Sequence, residues 1–298
     1  MIQYSVLSCG SGKQGTYFPG CKVSPTDFVK FFLLSPLADI NLATDTFDES
    51  DRSLLIKRGL LVPVNDILQV TPEDAKANIQ TLANKRKLLV SKALYQWTAE
   101  FEATPCYQEA LDNLSYQKWG LLMLDSQGKL WFDNKNGKLK GFDVNAFVVE
   151  NESTNDGGSK RALFSAWWQL SQDGTAGYNK RREFLVSDEY IDVNGIQDVV
   201  IKDITLAHSS FKVSVLSGCD KSTPIVGLDD ANFKVVKASD GTTVSTTVTD
   251  NGDGTYNIAG AAAGDVTVRL YDSVLNSNIA DILETQFFES NILAITLT

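Results

Sequence analysis

The sequence predicts a mainly β protein, β-rich with one or two helices, in two domains at 1–206 and 207–298. Tyr95, Trp97, Ala99 and Phe101 alternate with polar residues, the two-residue period of a strand with one face on a core. Short apolar segments separated by Gly, Asn and Asp recur through the C-terminal third, the spacing of a β-sandwich. With 298 residues, 43% of them hydrophobic, the chain can bury a sizeable core, and domains of roughly 100–150 residues make two the natural number.

In chain order, a short strand-like start leads into Cys9 to Gly15 and Pro19 to Cys21, a glycine-rich irregular loop. Asp27 to Leu34 is an apolar run that periodicity alone leaves open between buried strand and short helix. The polar stretch Asn41 to Ser53 reads as a long surface loop. Thr71-Pro72-Glu73-Asp74 has the chemistry of a helix start, and Ile79, Leu82, Ala83 and Leu89 follow at near-helical spacing. After the alternating strand, Pro105 opens a helix through Tyr107, Ala110, Leu111 and Leu114, with Gly120 as its C-terminal cap.

Hairpins follow at Leu121–Phe132 and around Asn134 to Gly137, then a strand from Gly141 to Glu150. Asn151 to Ser159 has the composition of a mobile tip. Leu163 to Leu170 is a strand, Asp173 to Gly177 a loop, and Phe184–Val186 and Val199–Ile201 complete the first sheet. The second domain offers strands at Phe211–Leu216, Phe233–Lys237, Thr243–Thr249, Thr255–Ala259, Val266–Tyr271 and Ile292–Leu297. From Leu206 onward it holds five Lys/Arg and eleven Asp/Glu, a charge of −6.

Composition excludes more chemistry than it admits. A formal charge of −10 disfavours tight nucleic-acid binding and docking on anionic lipid. No apolar run is long enough to span a bilayer, and the first residues lack the basic, apolar pattern of a secretory signal. Cys9, Cys21, Cys106 and Cys219 are spaced too widely for a compact disulfide framework, so free buried thiols are expected. Gly10-Ser11-Gly12-Lys13-Gln14 is not a phosphate loop, because Leu7 and Gln14 replace the glycine and the Ser/Thr that such a loop needs. Asp250 to Asp253 is a hairpin turn rather than a calcium loop, since Gly252 and Gly254 bring no oxygen ligands.

The single histidine, His208, sits near the domain junction with no nucleophile elbow elsewhere to serve. No catalytic, cofactor-binding or metal-binding residue is therefore expected, and no enzyme. Glu100 and Glu102 share a strand face and read as a solvated or assembly-facing surface. Trp167 and Trp168 are adjacent on a strand, so at most one enters the core and the other faces solvent or a partner; Trp131 is a further conspicuous aromatic.

Phe233–Val236, Asp250–Ile258 and Gly264–Val268 resemble the bacterial and phage immunoglobulin-like domain, in which a Gly-Asp-Gly-Thr-Tyr hairpin joins two core strands. Asn276 to Ser290 departs from that pattern and reads as an insertion with some helical character. Trp97–Glu102, Ala110-Leu111, Lys118–Asp125 and Gly137–Phe142 are similar to virion proteins of phages infecting gut Bacteroidetes, and the strand–helix–strand order to tail tube proteins. The resemblance implies a non-enzymatic virion subunit, a tail tube protein forming stacked rings around a DNA conduit. Its partners would be copies of itself and other virion proteins, with no membrane; it would be assembled in the host cytoplasm. The alternatives are a head decoration, connector or adaptor protein, or a module binding carbohydrate or the host surface.

Overall fold

The computed structural model describes residues 2–6, 27–73, 77–91, 93–102, 104–150, 163–180, 183–206, 210–273, 275–282 and 286–297. It is mainly β and divides into two compact units, Met1–Val193 and Asn194–Thr298. The division falls before the expected 206/207 because the strand from Ile196 to Leu206 is hydrogen-bonded within the second unit. Lys30 marks where the first unit ends: its ammonium is buried and donates to the carbonyls of Ile191 at 2.7 Å and Val193 at 2.5 Å. Burial pulls its pKa down to about 8.

The first unit begins with β1 (Ser5–Val6), β2 (Phe28–Leu34), β3 (Ile40–Asn41), α1 (Glu49–Lys57), β4 (Leu61–Val64), β5 (Ile67–Glu73), β6 (Asn78–Thr81), β7 (Lys87–Ser91) and β8 (Gln96–Glu102). It continues with α2 (Pro105–Asp112), β9 (Gly120–Asp125), β10 (Lys129–Trp131), β11 (Asp133–Lys135), β12 (Lys138–Lys140), β13 (Phe142–Val149), β14 (Leu163–Leu170), α3 (Gln172–Asn179) and β15 (Glu183–Val186). The apolar run left open by periodicity is a strand. Phe31 to Leu34 are all buried because β2 lies between β4 and β9, and a central strand covered on both faces reads as a continuous apolar run.

The strands follow the order β1-β15-β10-β9-β13-β14-β8-β5, with β2 on the other edge of β9 and β4 outside β2. β9 is the pivot. One of its edges runs along β2, while the other is shared by β10 at Met123 and Leu124 and by β13 at Gly120 and Leu121. A register shift between Val144 and Ala146 then carries β13 onto β14. At the opposite margin the chain passes from β4 to β5 through Asn65 and Asp66, where the Tyr107 hydroxyl donates to the Asn65 carbonyl at 2.9 Å and accepts from its N–H. Between the two groups of strands lies an aromatic core with Phe31, Trp97, Phe101, Phe164 and Trp168; the Phe31 and Trp168 rings lie 4.3 Å apart.

Among the described residues there are three α-helices, where sequence suggested one or two, and only α2 lies where sequence placed one. Pro105 opens α2 as expected, but the helix ends at Asp112 and Gly120 begins β9 instead of capping it. α1 occupies part of the expected loop: the Asp48 carboxylate accepts from the Asp51 N–H, with Glu49 and Asp51 in the first turn and Lys57 in the last. α3 replaces the expected glycine-rich loop. Ser171 caps it, and a Cβ on Gly174 would stand 2.1 Å from the Asp143 carbonyl oxygen, so that glycine serves close approach. The helix expected after Thr71 does not form. Thr71 and Pro72 lie within β5, paired with Thr98 and Trp97 of β8, and Ile79, Leu82 and Leu89 belong to the β6/β7 hairpin and its turn.

The second unit contains β16 (Ile196–Leu206), β17 (Ser210–Ser217), β18 (Phe233–Lys237), β19 (Thr243–Val244), β20 (Thr247–Asp250), β21 (Thr255–Ala259), β22 (Gly264–Leu270), β23 (Ile279–Ile282), β24 (Gln286–Ser290) and β25 (Leu293–Leu297). They form a β-sandwich of two sheets, β20-β21-β17-β16-β24-β23 and β19-β18-β22-β25. Its core packs Val213, Val215, Tyr256 and Ile258 against Val235, Val266 and Val268. The buried Tyr256 hydroxyl donates to the Ile225 carbonyl at 2.7 Å, and burial pushes its pKa up to about 12. The expected strand at 243–249 is two short strands in different sheets, and the expected helical insertion at 276–290 holds β23 and β24 instead.

Several turns of this unit are held by aspartates. Asp220, Asp240 and Asp253 accept from the N–H and hydroxyl groups of Thr223, Thr242 and Thr255, and these bonds hold all three carboxyls below their ordinary 3.8. A folded-state pKa below the unfolded one stabilises the fold above the unfolded value, and that contribution is lost as pH falls through the folded one. The urea midpoint is therefore expected to fall between pH 5 and pH 3, with a shallower fall in Asp240→Asn.

Candidate functional surface

The sheet β13-β14-β8-β5 turns one face to the core and the other outward. Strict alternation along β8 sends Trp97, Ala99 and Phe101 inward and Gln96, Thr98, Glu100 and Glu102 outward. Register places Gln69, Thr71 and Glu73 of β5 and Ser165, Trp167 and Gln169 of β14 beside them. The row through the middle is Thr71, Thr98, Trp167 and Val148.

Four glutamates occupy this outward face, Glu73, Glu100, Glu102 and Glu150, and no Lys or Arg stands on it among the described residues. Hydrogen bonds fix part of the polar surface. Gln96 Nε2 and Thr98 Oγ1 donate to the two oxygens of Glu73 at 2.8 and 2.9 Å, Gln169 Nε2 donates to Gln96 Oε1, and Ser165 Oγ donates to Glu150 Oε2. The result is an ordered acidic surface in which the partly buried Trp167 is, among the described residues, the one large aromatic group.

The sheet also has unpaired margins. Among the described residues, β5 pairs only with β8, and β13 has β14 on one side while its pairing with β9 is confined to Phe142 and Asp143. Among those residues, Ala146 to Val149 therefore present an edge without a strand partner, as does β5. Pro72 removes one donor from the β5 edge, which restricts further pairing to its Ile67–Thr71 part.

The expected features fall in different places. Trp131 is a core residue whose Nε1 donates to buried Asp125 at 3.0 Å, and Trp168 is buried beneath the sheet. Of the three tryptophans singled out, only Trp167 reaches the surface. Asp250 to Asp253 forms the turn between β20 and β21. His208 and the Gly10–Gln14 loop lie outside the described residues, as does the tip 151–159. Cys106 and Cys219 are exposed and disulfide-bonded, which corrects the expectation of free buried thiols: spacing along the chain does not measure proximity in the fold.

Among the described residues no group of three or more His, Cys, Asp or Glu is placed to hold a metal ion, and no helix is long and apolar enough to cross a membrane. A cleft of about 550 Å³ beside α3 is lined by Phe132, Asp133, Lys135, Asp173, Lys180 and Glu183. Burial raises the Asp133 carboxyl while Lys135, 3.6 Å away, opposes the shift. Mixed charge of this kind selects neither an anion nor a cation.

Sequence reasoning found Glu100 and Glu102 but not Glu73 or Glu150. Strand alternation reveals two residues on one strand, whereas joining residues from different strands requires the register.

Fold and surface together define a class, a two-unit mainly β protein with an acidic, open-edged sheet. No protein-family model matches the chain, and no curated protein matches it in sequence.

Proposed function

We propose that the chain is a non-enzymatic structural subunit of a tailed-phage virion, a tail tube protein whose copies close into rings around a DNA conduit. The observation that carries this reading is the β13-β14-β8-β5 sheet, with its two open margins and its acidic outer face. Its strands alternate in direction and are even in number, so the β5 edge of one copy meets the β13 edge of the next in antiparallel sense. Repeated about an axis, the contact is head to tail and closes into a ring that pairs both margins of this group of strands. The glutamate face would then line the lumen and repel DNA phosphates, letting the genome slide without adhering.

The second unit, a β-sandwich with a tight hairpin at Asp250–Thr255, supports the immunoglobulin-like reading and would decorate the outside. Disulfides at Cys106 and Cys219 suit an extracellular particle, since such bonds persist in oxidising surroundings.

One observation favours a second reading. Trp167, flanked by Thr98 and Val148, is an aromatic platform of the kind on which sugars stack, and binding on a glycan array that Trp167→Ala abolishes would establish it. Negative-stain microscopy with analytical ultracentrifugation of the purified full chain tests the main proposal. Rings or tubes are the expected result, and a persistent monomer at high concentration would overturn it.

A further inference from the structure

Two cations are buried among the described residues, Lys30 at 6% and Arg52 at 4% exposure, and both hold the same short segment. That segment, Asp188–Val193, is a turn of 3-10 helix followed by irregular backbone; it belongs to no sheet and is the last of the first unit. On β2, Phe31 and Leu33 face the aromatic core, so Lys30 and Phe32 face the other way, where the Lys30 ammonium donates to the carbonyls of Ile191 and Val193. At the other end of the segment, the Arg52 guanidinium of α1 meets the Glu189 carboxylate at 3.3 Å and lies 5.0 Å from the ring of Tyr190, which is buried beside Phe47.

The two fastenings differ. The Glu189 side chain is 71% exposed, so its ion pair contributes little, and Tyr190 holds that end by burial. Lys30 holds the other end with a charge, against two carbonyls and the Phe32 ring at 5.6 Å. Two acids face it, Asp192 of the segment and Asp66 of the turn between β4 and β5, and among the described residues neither forms an ion pair with it. Asp125 of β9 is turned to the opposite face, with Trp131, and Arg52 and Glu189 are the other charged groups on the elements packed here. A buried ammonium without a carboxylate loses more hydration than two carbonyl oxygens return, so closing the segment over Lys30 works against its proton.

We infer that Asp188–Val193 is a proton-loaded latch: with Lys30 protonated the closed segment covers a charge that has no carboxylate partner and opens more readily, and loss of that proton shuts it. The sign follows from linkage. Solvated in the open form, Lys30 has its ordinary 10.5; covered, it holds its proton only to about 8. The closed form is therefore the one that gives up the proton. Between those values each pH unit lowers the open population about tenfold, while below pH 8 opening no longer depends on this group. Opening uncovers the Lys30 amine and the socket of Tyr190 beside Phe47, and it needs no second copy of the chain.

Chymotrypsin reads the latch in the full-length protein, since cleavage after Tyr190 requires that buried ring to leave its socket. Rates of cutting at Tyr190–Ile191, mapped by mass spectrometry, are divided by those of a free peptide of residues 186–195 at the same pH. The ratio should be level from pH 7 to 8 and fall about tenfold between pH 8.5 and 9.5. Lys30→Met removes the charge and keeps the apolar length, so it should be cut slowly at every pH; Lys30→Arg, charged throughout, should be cut fast at every pH. Tryptophan fluorescence, which follows the first unit alone, checks that each variant remains folded. A wild-type ratio that stays level or rises up to pH 9.5, a folded Lys30→Met that is cut faster than wild type, or a Lys30→Arg ratio that falls with pH as the wild type's does would each overturn the latch and make Lys30 a plain strut. Should a variant fail to fold, the wild-type profile decides by itself.

Discussion

In urea, Trp168→Ala is expected to lose the first unit at markedly lower denaturant than the wild type, while Trp167→Ala unfolds near the wild-type midpoint. The two residues are neighbours on β14 and face opposite ways. Trp168 is 1% exposed, with its ring 4.3 Å from Phe31, and it stands across the strands from Trp97 and Phe147. Removing such a side chain costs about 3–5 kcal/mol, because the surrounding sheets cannot close over the cavity. A domain has only about 5–15 kcal/mol to lose. Trp167 is only partly buried, on the polar sheet face and away from that core, and its loss costs about 1 kcal/mol.

The measurement separates the two units. All five tryptophans, Trp97, Trp119, Trp131, Trp167 and Trp168, lie before Val193, so indole fluorescence follows the first unit alone while far-ultraviolet circular dichroism follows both. The second unit has its own core and should keep its midpoint in both variants. Equal midpoints for Trp167→Ala and Trp168→Ala would mean that β14 does not present its odd and even residues to different environments.

That contrast was readable from the dipeptide alone, because adjacent strand residues diverge whatever the surrounding fold. The alternation in β8 and the hairpin at Asp125–Lys129 were readable for the same reason: each is decided within a few residues. Where the decision was made by distant residues, sequence pointed elsewhere. Thr71-Pro72-Glu73 carries every local mark of a helix start, yet pairing with Thr98, Trp97 and Gln96 makes it strand, since burial across a sheet outweighs a cap. The same error hid the β6/β7 hairpin, because Ile79, Leu82, Ala83 and Leu89 follow at near-helical spacing. Glycine misled in α3, where Gly174 and Gly177 serve close approach to Asp143 and Asp133 instead of breaking the helix. At the acidic surface, Glu100 was visible in its own strand; Glu150 joined it only through the β13–β14–β8 register.

The heaviest single-atom penalty should come from Gly141→Ala. An added Cβ would stand 2.2 Å from the Gly120 carbonyl carbon and 2.5 Å from the Leu121 nitrogen, and both are backbone atoms of β9 with no side chain to swing aside. Relief requires β9 and β13 to separate at the point where β13 leaves one group of strands for the other, and a cost of about 3 kcal/mol or more follows. Gly137→Ala is the control. Its φ of +79° strains any alanine, but nothing lies within 4 Å, so about 1–2 kcal/mol is expected. If the two variants unfold at the same urea concentration, β9 and β13 do not approach closely at Gly141. If Gly141→Ala falls far below Gly137→Ala, the same displacement should reach the free edge at Ala146–Val149, five residues along the strand. On the proposed ring reading, closure through that edge would then fail even in conditions where the variant remains folded, which would tie the corner glycine to assembly through the position of one strand.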